Sequence, residues 1–438
     1  MYKKIGSFLP LSLQRRFFAD GLVSRFTSIL GIDILVKAMA FILLPFFLHY
    51  MSQEDFGKYN YLVSIVQTFS LVCNLGLYVP LSKLYHTYDT KAKKGQLLFT
   101  IVFIICVFMM VATLIAYWLN LDYKAINLLF ANNIDYSPYR GIVFLALLVT
   151  IFSFILTTYF YTSEKIRLVK SYNLVRIVVV NLISLLALYI IKENKVQVRF
   201  FYGYLSELIL LLLFGFYMAR VMLIKVEGKM IIKCLQLGLP IMISAAFGII
   251  INFGDKYLLQ RYGSLKDLSI YYLALSFAGI IPLVFTSLQN VWLPIFMKEK
   301  DITINFSKTK KLIKQASLSF VFLSFLIWAL LKFLLLLSFI PAKYNEVVYI
   351  LPILLISQIV ASITPLLSNY LVYLEKVRLV ALLGFFISIS TIVIGFTIVP
   401  IWGIYGAGLT SLATNLIYLV AYYFIVLRIK NNYSNERQ

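Results

Sequence analysis

The chain of 438 residues carries 40 Lys and Arg against 18 Asp and Glu, a formal net charge of +22, yet 61% of it is hydrophobic and only 13% is charged. Soluble domains hold about 45–50% apolar and about 25% charged residues, so a soluble fold could not cover this surface and lipid must be its main solvent. With two histidines, His49 and His86, and three cysteines without paired spacing, Cys73, Cys106 and Cys234, a disulfide framework, a zinc motif and a histidine-based metal site are all excluded, and no cofactor is expected.

A helix needs about 20 apolar residues to cross a ~30 Å bilayer core. On that measure the sequence predicts an all-α integral membrane protein with twelve spans. They lie near 29–49, 57–79, 97–119, 141–162, 170–191, 199–220, 235–254, 269–295, 315–340, 346–373, 377–399 and 403–427. The runs are too long and too continuously apolar for lipid-facing barrel strands. The first 25 residues are basic and broken by Pro10, so no cleaved signal peptide is expected.

The clean apolar run of span one, Ala38 to Leu48, covers only about 16 Å at 1.5 Å per residue. To cross the core the helix must start near Ile29, which draws Asp33 and Lys37 into the membrane, four apart on one face. Two readings stand. They neutralise each other while Lys37 snorkels to the surface, or Lys37 is a cation facing a central cavity. Before span two comes Ser52-x-x-Asp55-Phe56-Gly57-x-Tyr59, and between spans four and five Glu164-Lys165-Ile166-Arg167-Leu168-Val169. Arg176, some six residues into span five, is an interface anchor or a second cation facing that cavity. Glu207 in span six is too short to snorkel far. It carries a coupling proton or pairs with a cation such as Lys37. The basic segment 220–233 leads to span seven, which ends on Asp255-Lys256, read as a salt-bridged cap at an outer gate. Lys332, about eight residues from the outer end of span nine, is again an interface anchor or a cation facing the cavity. Prolines 45, 80, 240, 282, 294, 352 and 365 interrupt spans or sit at their ends, where each removes a backbone hydrogen bond.

Two of these motifs recur. Glu375-Lys376-Val377-Arg378-Leu379-Val380 repeats the first copy 211 positions on, and Tyr159 and Tyr370 precede the copies at one offset. Ser264-x-x-Asp267-Leu268-Ser269-x-Tyr271 repeats the Ser52 motif at an offset of 212. Charged residues match as well as apolar ones, which argues for two related halves, 1–222 and 223–438. Of the 40 Lys and Arg, 27 fall in segments on one side, 10 on the other and three, Lys37, Arg176 and Lys332, inside spans. The positive-inside rule then puts both termini in the cytoplasm. Six spans separate equivalent points, so the repeat is parallel: two six-helix bundles about a pseudo-two-fold axis along the membrane normal, a geometry suited to alternating access.

Much of the net charge is therefore topological and needs no nucleic-acid partner. The longest connections, near 120–140 and 296–314, have roughly twenty residues each. No glycine-rich phosphate loop, Walker motif or paired acidic motif is present, so neither ATP hydrolysis nor another enzymatic activity is expected.

Ser52-Gln53-Glu54-Asp55-Phe56-Gly57-Lys58-Tyr59 resembles the fG-x-Y turn of the multidrug/oligosaccharidyl-lipid/polysaccharide exporter superfamily. Asp255-Lys256-Tyr257-Leu258-Leu259 with Ile270-Tyr271 resembles its D-[RK]-x-x-L … [GS]-x-Y segment, and Pro400-x-x-Gly403-Ile404-x-Gly406-Ala407 its P-x-x-G-x-x-GA run. Ser269 departs from the usual glycine. Within that superfamily the likeness is to Wzx-type O-antigen flippases, since the similar lipid II flippases typically have fourteen spans. The resemblance implies movement of undecaprenyl-diphosphate-linked sugar repeats between leaflets of a bacterial inner membrane, with other polysaccharide-assembly membrane proteins as neighbours and proton or sodium coupling. The diphosphate needs cations inside the membrane, and the candidates are Lys37, Arg176 and Lys332. A drug/cation antiporter of the same superfamily is the second reading. Three cations against two acids inside spans, Asp33 and Glu207, favour an anionic substrate.

Overall fold

The computed structural model describes residues 39, 41–131, 135–299, 301–374 and 376–435. Asp33, Lys37 and Glu375 lie outside the described residues. Those residues form helices and their connections. A short apolar helix, α1 (Phe41–Tyr50), opens the described chain. Then come α2 (Gln53–Cys73), α3 (Tyr78–Thr87), α4 (Lys91–Trp118), α5 (Leu121–Leu129), α6 (Arg140–Thr162), α7 (Ile166–Ile190) and α8 (Lys195–Ala219). The second series is α9 (Gly228–Tyr262), α10 (Leu265–Ala278), α11 (Ile280–Lys298), α12 (Ile302–Leu336), α13 (Val347–Tyr373) and α14 (Val377–Asn435).

Among the described residues nine helical segments are long and apolar enough to cross a membrane, or ten if α2 and α3, bent by 44° at their break, form one span. Two features separate that number from twelve. The predicted start of span one lies outside the described residues. Predicted spans eleven and twelve run together as α14, whose backbone leaves helical geometry only at Gly403, at φ 51° and ψ −123°. That angle favours a residue without Cβ, so the two arms fold back without a loop. The connection expected at 296–314 is also shorter than expected. Asp301 accepts from the Thr303 and Ile304 amides and starts α12 there, because a carboxylate satisfies amides that a helix start leaves free. In the other long connection α5 is held by Arg140, whose Nε donates to Asp122 at 2.6 Å and whose guanidinium covers the Tyr117 and Tyr123 rings.

The repeated motifs fold alike. Ser52 caps α2 by accepting from the Asp55 amide, and Ser264 caps α10 by accepting from the Asp267 amide, with Asp267 closing a capping box. In the other pair, the Ser163 amide donates to Tyr159 O and the Lys165 amide to Phe160 O, while the Leu374 amide donates to Tyr370 O and the Lys376 amide to Leu371 O. Both turns close with a six-to-one bond, and in the first copy the turn passes through Glu164 in the left-handed region, at φ 57°.

The capped starts of α2 and α10 lie against each other. A Cβ on Gly57 would sit 2.0 Å from Leu265 O and 3.2 Å from the Ser269 amide. Only a residue without a side chain fits there, and opposite it Ser269 is small and fully buried. One apolar core, with Phe47, Phe56, Tyr61, Tyr271 and Tyr344, runs through this crossing and joins N-terminal to C-terminal helices. A second core lies among α3, α4, α6, α7 and α8 and takes in Met230 and Cys234 at the start of α9. Gly57→Val should therefore push α2 off α10. The expected loss is about 1–3 kcal/mol, the usual range for overpacking, read as a lower melting temperature of the purified protein. An unchanged melt would mean the helices do not cross this closely.

Candidate functional site

Two groups of charged side chains lie among apolar helices. The first bridges α6, α7 and α8. Glu207 is about 18 Å along α8 at 1.5 Å per residue, well inside a membrane-length helix. It is only 8% exposed. Its Oε1 accepts from Ser153 Oγ at 2.9 Å and faces Arg176 Nε at 3.4 Å, and Ser153 in turn accepts from Tyr172 OH at 2.8 Å. Tyr172 and Arg176 are four apart on α7, so one helix face supplies both. A buried carboxylate left without partners is costly, and this one has a cation and a hydroxyl relay. The Arg176 side chain stays 42% exposed. The sequence-predicted Arg176 and Glu207 are brought together. Lys37, the other cation considered for Glu207, is outside the described residues, as is Asp33.

The second group lies at the α2–α10 end. Lys195 Nζ donates to Tyr50 O at 2.6 Å, and Lys343 Nζ to Met51 O at 2.8 Å. Gln53 Nε2 returns a bond to Lys343 O. Both carbonyls belong to the C-terminal turn following α1, where the helix dipole attracts positive charge. Arg199 lies beneath. Its guanidinium is 3.7 Å from the Phe47 ring centre and 3.8 Å from that of Tyr59, and Nη1 approaches Met51 Sδ at 3.3 Å. Among the described residues no carboxylate forms an ion pair with Arg199, although it is only 7% exposed. Aromatic faces substitute for an anion, an interaction that strengthens to about 2 kcal/mol or more once water is removed.

Asp255 and Lys256 are placed together near the end of α9. Asp255 is buried, Lys256 Nζ lies 3.1 Å from Oδ1, and Tyr271 OH donates to Oδ2 at 2.5 Å. The bond ties α9 to α10 and accounts for the joint presence of Asp255 and Tyr271 in one sequence pattern. Lys332 stands apart on α12, exposed, with Nζ 4.1 Å from the centre of the Trp328 ring one turn earlier.

Sequence reasoning missed Arg199, Lys343 and Gln53. Arg199 and Lys343 are among the ten cations that the charge count places on the outer side. The available signal for Arg199 was its register: it lies four residues after Lys195 and directly before Phe200, inside rather than before an apolar helix. Nothing local marked Lys343, because its partners are about 290 residues away in sequence.

The family described as "Polysaccharide biosynthesis protein" matches residues 22–300, well over half of the chain. The chain belongs to that family. No sequence among curated proteins matches this family member. Its fold is shared with solved transporters. "Lipid II flippase MurJ, inward closed conformation" superposes with a TM-score of 0.71 at 14% identity, over 92% of this chain and 90% of that one. The MATE multidrug transporter DinF-BH, in complex with R6G, gives 0.64 at 14% identity over 94% and 96%. An inward-facing multidrug resistance MATE family transporter of the MOP superfamily gives 0.63 at 10% identity over 92% and 99%. At these identities the likeness is one of fold. The family member is a multi-pass membrane protein of MurJ- and MATE-like architecture.

The Arg176–Glu207 contact has a measurable signature. Arg176→Ala leaves the Glu207 carboxylate buried with hydroxyl partners alone and should lower the melting temperature. Adding Glu207→Gln removes the stranded charge and should restore part of the loss. If the double variant melts no higher than Arg176→Ala, the two side chains are not energetically coupled.

Proposed function

We propose that this protein is a flippase that carries undecaprenyl-diphosphate-linked oligosaccharide repeat units from the cytoplasmic to the periplasmic leaflet, as Wzx-type O-antigen flippases do. The observation that carries the reading is the family match over residues 22–300. The MurJ-like fold supports it, and so does a surplus of cations within apolar helices. On this reading the protein is a transporter and not an enzyme. It sits in a bacterial inner membrane with both termini cytoplasmic, beside other polysaccharide-assembly membrane proteins.

The proposed architecture is twelve spans in two six-helix units, 1–222 and 223–438. Here α1 is the end of span one, α2 with α3 is span two, α10 with α11 is span eight, and the arms of α14 on either side of Gly403 are spans eleven and twelve. The matched turns at Lys165 and Lys376 support a parallel repeat. Alternating access then means rocking of one unit against the other, with the α2–α10 crossing closed on the periplasmic side.

In this scheme Lys37 and Arg176 meet the diphosphate in the cavity. Glu207 and Asp33 hold those cations or take up a coupling proton; sodium is the other candidate ion. Asp255 and Lys256 brace α9 against α10 at the outer gate. Lys332, stacked on Trp328 at the surface, is assigned to the membrane interface. The second reading, a drug/cation antiporter, is favoured by the fold shared with the R6G complex of DinF-BH.

Deletion of the gene should abolish display of a surface polysaccharide and leave lipid-linked repeat units in the inner leaflet. Normal display together with new sensitivity to cationic dyes would favour the antiporter. Reporter fusions after Asn194 and Lys343 should lie in the periplasm and fusions after Lys165 and Lys376 in the cytoplasm. Opposite locations for the last two would break the parallel repeat.

A further inference from the structure

Among the described residues, the turn after α1 gathers three cations that form no ion pair with a carboxylate. Lys195 and Arg199 come from α8 and Lys343 from the connection between α12 and α13. Their partners are two carbonyls, a thioether and aromatic faces. Burial, and after it the positive charge of Lys195, holds the Lys343 ammonium below its ordinary pKa, with Asp55 acting in the opposite direction. The acids nearby are engaged elsewhere or are few. Glu54 reaches across to Lys266 at 3.6 Å, and Asp55 and Asp135 act on Lys58. Positive charge is therefore concentrated and incompletely balanced at this seam.

The seam is also assembled from both series of helices. One short connection, 341–345, supplies Lys343 to Met51 O and Tyr344 as a cover. Tyr344 is fully buried, and its ring meets Phe56 edge-on at 6.2 Å. Withdrawal of the C-terminal helices at this end would carry Lys343 and Tyr344 away together. Arg199 would then face an opening vestibule with rings on its flanks and no anion of its own. A buried cation uncovered in this way gains most from a doubly charged oxyanion, because guanidinium presents paired donors to phosphate oxygens.

We propose that Arg199, aided by Lys195 and Lys343, is an anion site at the seam that receives the phosphate groups of the lipid-linked substrate as the two series of helices part. The inference rests on the flippase reading. The site is distinct from the Arg176–Glu207 group, and it gives the diphosphate a second cationic station near the exit. Lys343 and Tyr344 shut it when no substrate is leaving.

The test uses the full chain in cells and in lipid nanodiscs. Arg199→Met preserves length and apolar packing and should cut polysaccharide export at least tenfold at normal protein abundance, while Arg199→Lys keeps a substantial part. Lys195→Gln, at the edge of the site, should reduce export several-fold, and it keeps the test decisive if Arg199→Met melts early. For binding, Tyr344→Ala removes the cover. In phosphatidylcholine nanodiscs inorganic pyrophosphate should raise the melting temperature of Tyr344→Ala, and this rise should vanish in Tyr344→Ala/Arg199→Met. An Arg199-dependent rise produced by phosphatidylglycerol nanodiscs and not by pyrophosphate would assign the site to bulk lipid head groups and overturn the substrate assignment. Wild-type levels of export by both Arg199→Met and Lys195→Gln would overturn the site altogether. Failure of the wild-type gene to restore display in the deletion strain would instead overturn the flippase reading.

Discussion

The crossing of α2 over α10 is the contact on which the rest of the arrangement depends. Gly57 lets the two backbones approach within van der Waals distance, and capped helix starts on both sides fix where the approach occurs. From that point the apolar core extends through α1, α8 and α13, and the cations on the Tyr50–Met51 turn close around it. Tyr61 adds a further tie, donating to Leu129 O at 2.7 Å and stacking on Phe253 at 5.4 Å. The amide of Ala131 adds another by donating to Gln260. A backbone approach this close has little slack, since packed interiors give way in discrete steps rather than by gradual deformation.

Charges in this protein obey one constraint and meet it in three ways. Glu207 and Asp255 are buried with a cation and a tyrosine-linked hydroxyl or a tyrosine. Arg199 is buried against rings and sulfur. Lys332 stays exposed and lies over an indole. Each solution answers the same penalty for a bare ion in an apolar medium. Only the first joins an acid and a base in a fixed geometry, and the second leaves a cation whose partners carry no formal charge.

The helical class and most of the spans were legible because a run of about 20 apolar residues has few other uses. The Ser52 and Ser264 motifs were legible as a pair, and their capping role explains the serine and aspartate at three-residue spacing. Ser269, where a glycine is usual, is fully buried and its hydroxyl is satisfied by donating to Lys266 O at 2.7 Å. Helix breaks were less legible. Gly279 ends α10 and begins α11 inside one apolar stretch, and the bend between α2 and α3 falls at Asn74–Leu77, where Asn74 and Gly76 are the only polar or glycine interruptions. The seam cations were not legible at all as a group, because sequence distance hides Lys343 from Met51 and a terminal position made Arg199 look like a solvated end.

The acceptors at the seam have one further property. A carboxylate that holds a lysine or arginine loses its charge as the medium is acidified through the carboxylate range. Peptide carbonyls, a thioether and aromatic rings have no such transition. The direct contacts of Lys195, Lys343 and Arg199 are thus made to groups with no such transition. A closure made this way keeps its strength when the surroundings turn acidic. If the seam parts as proposed, what opens it must displace those contacts and not protonate them.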